Sequence, residues 1–229
     1  MKRLGLIGGT TWHSTAVYYK LLNEGVHARL GGVASADLVL ASLDFSEIDR
    51  NNKADDLAAN ERLVHSAALG LRAAGTDGLM LCANTMHMFA DSTASVSGLP
   101  VIHIVDAIAS RCRSLGASKV AILGTRYTME MSFFRDRLAS HGIEWLIPSD
   151  EDRVEVNRTI FEEMAAGVFS DSTRAWYVRV ISDLAGRGAQ AAILGCTELP
   201  ILISAGDVAI PTIDTTAVHV EAALEFALG

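Results

Sequence analysis

The chain has 229 residues, 50% hydrophobic and 20% charged, which is enough apolar content for a substantial buried core and too much for a disordered segment. A formal net charge of -8, from 19 Lys and Arg against 27 Asp and Glu, disfavours nucleic acid and anionic membrane as partners, since both need a basic face. Three cysteines, Cys82, Cys112 and Cys196, have no CxxC spacing, which argues against a disulfide framework or a cysteine-rich zinc site and for a reducing, cytoplasmic setting.

Residues 4–7 form a short apolar run that breaks at Gly8-Gly9-Thr10. It is too short for an export signal or a bilayer span and reads as a first strand entering a tight turn, with a helix over 11–27. A second strand over 36–42 leads into a polar loop at 44–52. Leu57, Val64, Ala68 and Leu71 recur at helical spacing up to a glycine stop at Gly75, and a third strand over 79–82 follows. A strand over 100–104, a helix over 106–115 and a strand over 120–123 come next. The remainder reads as a helix over 132–141, a strand over 144–147, helices over 151–166 and 173–186, strands over 191–194 and 208–213, and a last helix over 216–228. Strands alternating with helices imply an α/β fold with mostly parallel sheets.

The chain also repeats itself. Residues 5–10 match 120–125, residues 75–81 match 188–194, and residues 99–102 match 210–213, in the same order and at nearly constant offset. Two pseudosymmetric α/β lobes follow, each a mostly parallel sheet flanked by helices, with the active site expected in the cleft between them. The expected division is 1–104 with 214–229, against 105–213.

The loops after four strands then collect small polar residues: Thr10 and Thr11, Asn84 and Thr85, Thr125 and Thr128, and Cys196, Thr197 and Glu198. Each loop leads into a helix, where backbone N–H groups and the helix dipole suit a small carboxylate. Each hydroxyl or amide taken alone is more readily a helix cap, and it is as a converging set that they favour anion binding. A thiol at a helix start has a lowered pKa, so Cys196 is a candidate thiolate base, against the ordinary alternative of a small buried hydrophobe. The four lysines, Lys2, Lys20, Lys53 and Lys119, lie outside these loops, which leaves a pyridoxal phosphate Schiff base poorly supported, and Gly8-Gly9 lacks the third glycine of a dinucleotide fingerprint. His13, His103 and His219 lack metal-ligand spacing, and neither metal nor cofactor is expected.

Gly8-Gly9, Asn84-Thr85-Met86-His87, Gly124-Thr125-Arg126-Tyr127-Thr128, Gly195-Cys196-Thr197-Glu198 and Ile213-Asp214-Thr215 together resemble the cofactor-independent aspartate/glutamate racemases. The resemblance implies two cysteines on opposite faces of the substrate α-carbon, one removing the proton and the other returning it. It further implies a small carboxylate substrate such as an acidic amino acid, side-chain recognition in the loop of Arg50, Asn51 and Asn52, and a homodimer. Arg126 and Arg153 are alternative holders of a second carboxylate, and Glu198 either orients a substrate amine or caps a helix.

One departure stands out. The family pattern places its first cysteine immediately before Asn-Thr, and here that position is Ala83. The internal repeat gives the same answer, aligning Ala83 with Cys196 and Cys82 with Gly195. Neighbouring residues at a strand end point to opposite faces, which directs Cys82 into the core. Four readings stay open: a one-sided racemase or malonate-type decarboxylase, another group or water acting in place of the first cysteine, a non-catalytic amino-acid-binding relative, or a deliberate substitution at position 83.

Overall fold

The computed structural model describes residues 1–229 and divides into two compact units, Met1–His103 with His219–Gly229, and Ile104–Val218. The second crossing therefore falls at 218/219, inside the last helix, rather than at 213/214.

In the first unit, β1 (Leu4–Gly8) enters α1 (Trp12–Leu30), β2 (Leu38–Ser42), α2 (Phe45–Lys53), α3 (Leu57–Ala73) and β3 (Gly78–Leu81) in turn. A 3-10 turn at Thr85–Phe89 and α4 (Ala90–Ser97) complete it, with the end of the C-terminal helix. The sheet order is β2-β1-β3, all parallel. Side chains alternate across it: Leu4, Leu6, Met80 and Cys82 join one apolar cluster with Tyr18 and Leu22, and Ile7, Leu79 and Leu81 join another with Val64, Ala68 and Leu71. Both faces are covered, as continuous apolar strands require.

Two expectations fail in this unit. Residues 45–53 are helical, because Asp44 accepts the N–H of Ser46 at the helix start and Ile48 anchors the turn in the core, even though the stretch is otherwise polar. The strand expected over 100–104 shrinks to a single bridge between Leu79 and Val101, and the next helix begins at Ile104.

The second unit runs through α5 (Ile104–Leu115), β4 (Lys119–Gly124), α6 (Arg126–Glu130), α7 (Ser132–Ser140), β5 (Glu144–Leu146), α8 (Asp150–Arg158), α9 (Asp171–Gly186), β6 (Ala191–Gly195), α10 (Leu199–Leu202) and β7 (Thr212–Asp214) into α11 (Thr215–Leu228). Its order, β5-β4-β6-β7, is again parallel throughout. With the Val101 bridge standing where β7 stands, the two units share one strand order, which is the structural form of the sequence repeat. Their registers differ by one residue: Ile7 is level with Leu81, but Leu123, not Ile122, is level with Leu194.

The helix expected over 151–166 is broken. Thr159 Oγ1 donates to the carbonyls of Glu155 (2.9 Å) and Val156 (3.1 Å), and the backbone widens into a π turn at Thr159–Glu163 before a 3-10 turn at Met164–Ala166.

Candidate active site

In the second unit, β4 and β6 end side by side, with Gly124 level with Gly195. Both positions need glycine: a Cβ on Gly195 would lie 2.9 Å from the Leu123 carbonyl oxygen and 3.1 Å from the Thr128 methyl. The missing side chains let the start of α6 settle onto the strand ends, which brings Thr125 and Thr128 to the same edge as Cys196, Thr197 and Glu198. Thr125 holds the N-cap position of α6 without making the capping bond, and its Oγ1 lies 3.4 Å from that of the fully buried Thr128.

Cys196 is partly exposed and donates from Sγ to Glu198 Oε2 at 2.7 Å. Thr197 Oγ1 donates to the same oxygen at 2.9 Å. This geometry overturns the expectation of a ready thiolate. Burial above all, then the Glu198 charge and the hydrogen bond to it, push the Cys196 thiol well above its ordinary range, and α10 is only a four-residue helix, too short for a strong opposing dipole. At rest the site holds a thiol facing a carboxylate. Glu198 occupies the residue before α10 without capping it, so its carboxylate serves the neighbouring thiol and hydroxyl.

The expected anion-binding N–H groups are partly in use. The Arg126 amide donates to Asn157 Oδ1 (3.0 Å). Arg126 and Arg153 do not await a substrate carboxylate; both pair with Glu130, at 2.9 and 3.0 Å, and hold its carboxyl below the usual range.

In the first unit, Thr10 follows β1, and Ala83, Asn84 and Thr85 follow the adjacent β3, all partly buried. Gly9 makes the turn possible: its φ is +88°, and a Cβ there would lie 2.0 Å from the Leu43 carbonyl oxygen. The Gly9 amide donates to Thr15 Oγ1 (2.8 Å), Thr11 caps α1, and Ser14 Oγ donates to the Cys82 carbonyl (2.8 Å), tying the ends of β1 and β3 to one helix. Sequence reasoning missed Ser14 and Thr15, because buried hydroxyls inside a helix carry no distinctive spacing. Thr10 Oγ1 is different: it is buried and bonds to nothing in the protein.

Ala83 packs at the edge of the cluster formed by Ile7, Leu79 and Leu81, while Cys82 is fully buried on the opposite face with Leu4, Leu6 and Met80. Burial pushes the Cys82 thiol far up, and the Cys112 thiol, also buried, up to about 11. The Ala83 carbonyl accepts from His87 Nδ1 at 3.0 Å, so His87 is a neutral structural donor whose buried Nε2 meets no partner. Its ring packs against His103 and His219, at centroid distances of 4.8 and 5.2 Å. Asn52, at the end of α2, accepts from Asn60 Nδ2 at 2.7 Å, and Asn60 in turn accepts from Asn51 at 2.9 Å. Arg50 is exposed beside them.

The Asp/Glu/Hydantoin racemase family matches residues 7–223. The chain is 46% identical to a candidate Asp/Glu racemase from Yersinia pestis, whose crystal structure superposes with a TM-score of 0.96, each chain covered over 100% of its length. It is 34% identical to an aspartate racemase homologue from Pyrococcus horikoshii OT3, again over 100% of both chains, with a TM-score of 0.90. At 21% identity the Picrophilus torridus aspartate racemase shares the fold, with a TM-score of 0.76 over 99% of this chain and 94% of its own. Over nearly its whole length, then, this chain belongs to the Asp/Glu/hydantoin racemase family.

Proposed function

We propose that the chain is a cofactor-independent racemase of a small acidic amino acid, of the aspartate/glutamate type, with Cys196 moving the α-proton. The observation that carries this reading is that Cys196 is the one cysteine of the three that is partly exposed, its thiol set at the carboxyl end of β6 against a carboxylate. Thr10, Asn84 and Thr85 stand at the strand ends of the first unit and Thr125, Thr128 and Thr197 at those of the second, and each set offers hydroxyl or amide groups suited to a carboxylate. The buried, unpartnered Thr10 Oγ1 supports this, since a buried hydroxyl without a partner gains by meeting a ligand acceptor. Well-placed donors also stabilise the enediolate charge left when the α-proton departs, by roughly 3 kcal/mol each. Asn52, with Arg50 beside it, reads the side chain. Three lysines are held in ion pairs, Lys20 with Glu24, Lys53 with Asp49 and Lys119 with Glu144, and Lys2 lies over the Phe226 ring, which supports a reaction without pyridoxal phosphate. The unpaired cysteines fit a cytoplasmic protein, and the family resemblance a homodimer.

Ala83 favours a second, narrower reading. With a methyl group where the pattern has a thiol, and Cys82 buried elsewhere, proton transfer is one-sided, as a single-cysteine racemase or a decarboxylase of a malonate-type acid requires. Incubation of L- and D-aspartate and glutamate in heavy water tests the proposal. α-Deuteration of at least one of them without added cofactor is expected. Thermal protection by these ligands with no exchange would leave an amino-acid-binding protein instead.

A further inference from the structure

Asn60 is a buried amide on α3, and a buried amide needs partners for both of its ends. It finds them on α2. Asn60 Oδ1 accepts from Asn51 Nδ2 at 2.9 Å, and Asn60 Nδ2 donates to Asn52 Oδ1 at 2.7 Å. Each neighbour therefore has one end spent. The other ends, Asn51 Oδ1 and Asn52 Nδ2, bond to nothing in the chain, and both residues are partly exposed. Asn52 thus offers N–H groups and Asn51 a carbonyl. We propose that Asn60 is a specificity-determining positioning residue: by holding both amides in one orientation, it makes Asn52 a hydrogen-bond donor toward the side-chain carboxylate of the substrate. This rests on the racemase reading, in which Asn52 meets that side chain.

The place of the three amides in the fold supports the proposal. α2 leaves the carboxyl end of β2, where the Leu43 N–H donates to the Gly8 carbonyl (3.0 Å), so it starts at the strand ends that also carry Thr10. The turn from α2 to α3 is strained: Asp55 has a φ of +55° and is the one non-glycine residue with positive φ. The Asn51 carbonyl accepts the Asp56 N–H (2.9 Å) across this turn, while the Asn51 and Asn52 side chains reach Asn60. Nearby carboxylates are occupied. Asp49 pairs with Lys53 (2.6 Å) and Asp56 accepts the Ala59 N–H (2.9 Å), and Arg50 is exposed.

Isothermal titration calorimetry of aspartate and asparagine on the full chain, with α-proton exchange measured at saturation, tests the proposal. Asn60→Leu frees the Asn52 amide to turn and is expected to weaken aspartate about tenfold, with the exchange rate at saturation unchanged. Asn60→Asp accepts from both neighbours, which turns the Asn52 carbonyl outward. Aspartate should then weaken at least as much and asparagine should bind more tightly, which added charge alone would not cause. Unchanged aspartate affinity in Asn60→Leu, or asparagine no tighter in Asn60→Asp, overturns the proposal. If neither buried variant folds, Asn51→Ala decides: it removes the partner that fixes Asn60 Oδ1, and aspartate should weaken about threefold, an unchanged affinity overturning it. Exchange with unshifted binding defeats the role of Asn60 alone. Shifted binding with no exchange in any variant defeats the racemase reading and leaves Asn60 standing, and no binding of either ligand by the unaltered protein defeats both.

Discussion

The two units build their sheets in one strand order and equip the strand ends differently. At the end of β6 stands the thiol of a partly exposed cysteine, 2.7 Å from a carboxylate oxygen that also accepts a threonine hydroxyl. At the end of β3 stands a methyl group whose carbonyl is held by a buried imidazole. Beside Ala83, the Cys82 thiol is in the core and His87, which packs against the buried His219, is buried and neutral. A duplicated scaffold can therefore carry a thiol at one strand end and a methyl group at the other without losing the fold, because strand pairing and core packing depend on the strands and not on the one residue beyond each of them.

The largest effect on this contrast is expected from Cys196→Ser. Removing a general acid–base group costs about 10³-fold, so α-proton exchange measured by NMR in heavy water should fall by that order while the melting temperature barely moves. Retained exchange would shift the chemistry to the Ala83 unit.

A medium effect concerns the first unit alone. His219 donates from Nε2 to the Ile102 carbonyl (2.7 Å) and accepts the Tyr18 hydroxyl at Nδ1 (2.9 Å), so it is neutral, and burial lowers it to about 4. Burial, with the neighbouring histidines, lowers His87 as well. The unfolded chain binds these protons below its ordinary value of 6.5 and the folded chain does not, so stability is full above about 6.5 and is lost as pH falls, for His219 toward about 4. Between pH 7 and 5 the loss should reach roughly 2 kcal/mol for His219 in urea unfolding, with His87 acting in the same direction. The native tryptophans separate the units, Trp12 reporting the first and Trp145 and Trp176 the second, and a pH-insensitive first unit would contradict the assignment.

The smallest effect is expected from Arg126→Ala. Arg126 is exposed and Glu130 keeps Arg153, so neither the melting temperature nor KM should move measurably. A large rise in KM would restore Arg126 as a substrate anchor.

How much of this the sequence disclosed depends on the range of the interactions. Strands such as 4–7 and 191–194, the repeat, and the burial of Cys82 are legible because alternation and apolar runs are local signals. The helix at Phe45–Lys53 is not, since one cap and the single buried Ile48 hold a stretch that is otherwise polar. The short turn and helix over 85–97 carry no strong period, being rich in Ala, Ser and Thr. The position of Cys196 was legible from the repeat, whereas its protonation state was not. A thiol after a strand suggests a thiolate until Glu198 is seen turned back onto Sγ. The histidine cluster was equally hidden, joining residues from three distant parts of the chain.

The most direct test of the central claim is the racemisation rate of Ala83→Cys against the unaltered protein, read by polarimetry on aspartate and glutamate. A thiol introduced at position 83 should raise two-sided racemisation by about 10²-fold or more, with loss of any one-enantiomer bias in solvent exchange. An unchanged rate and an unchanged bias would contradict the account, because position 83 would then not be the missing partner of Cys196.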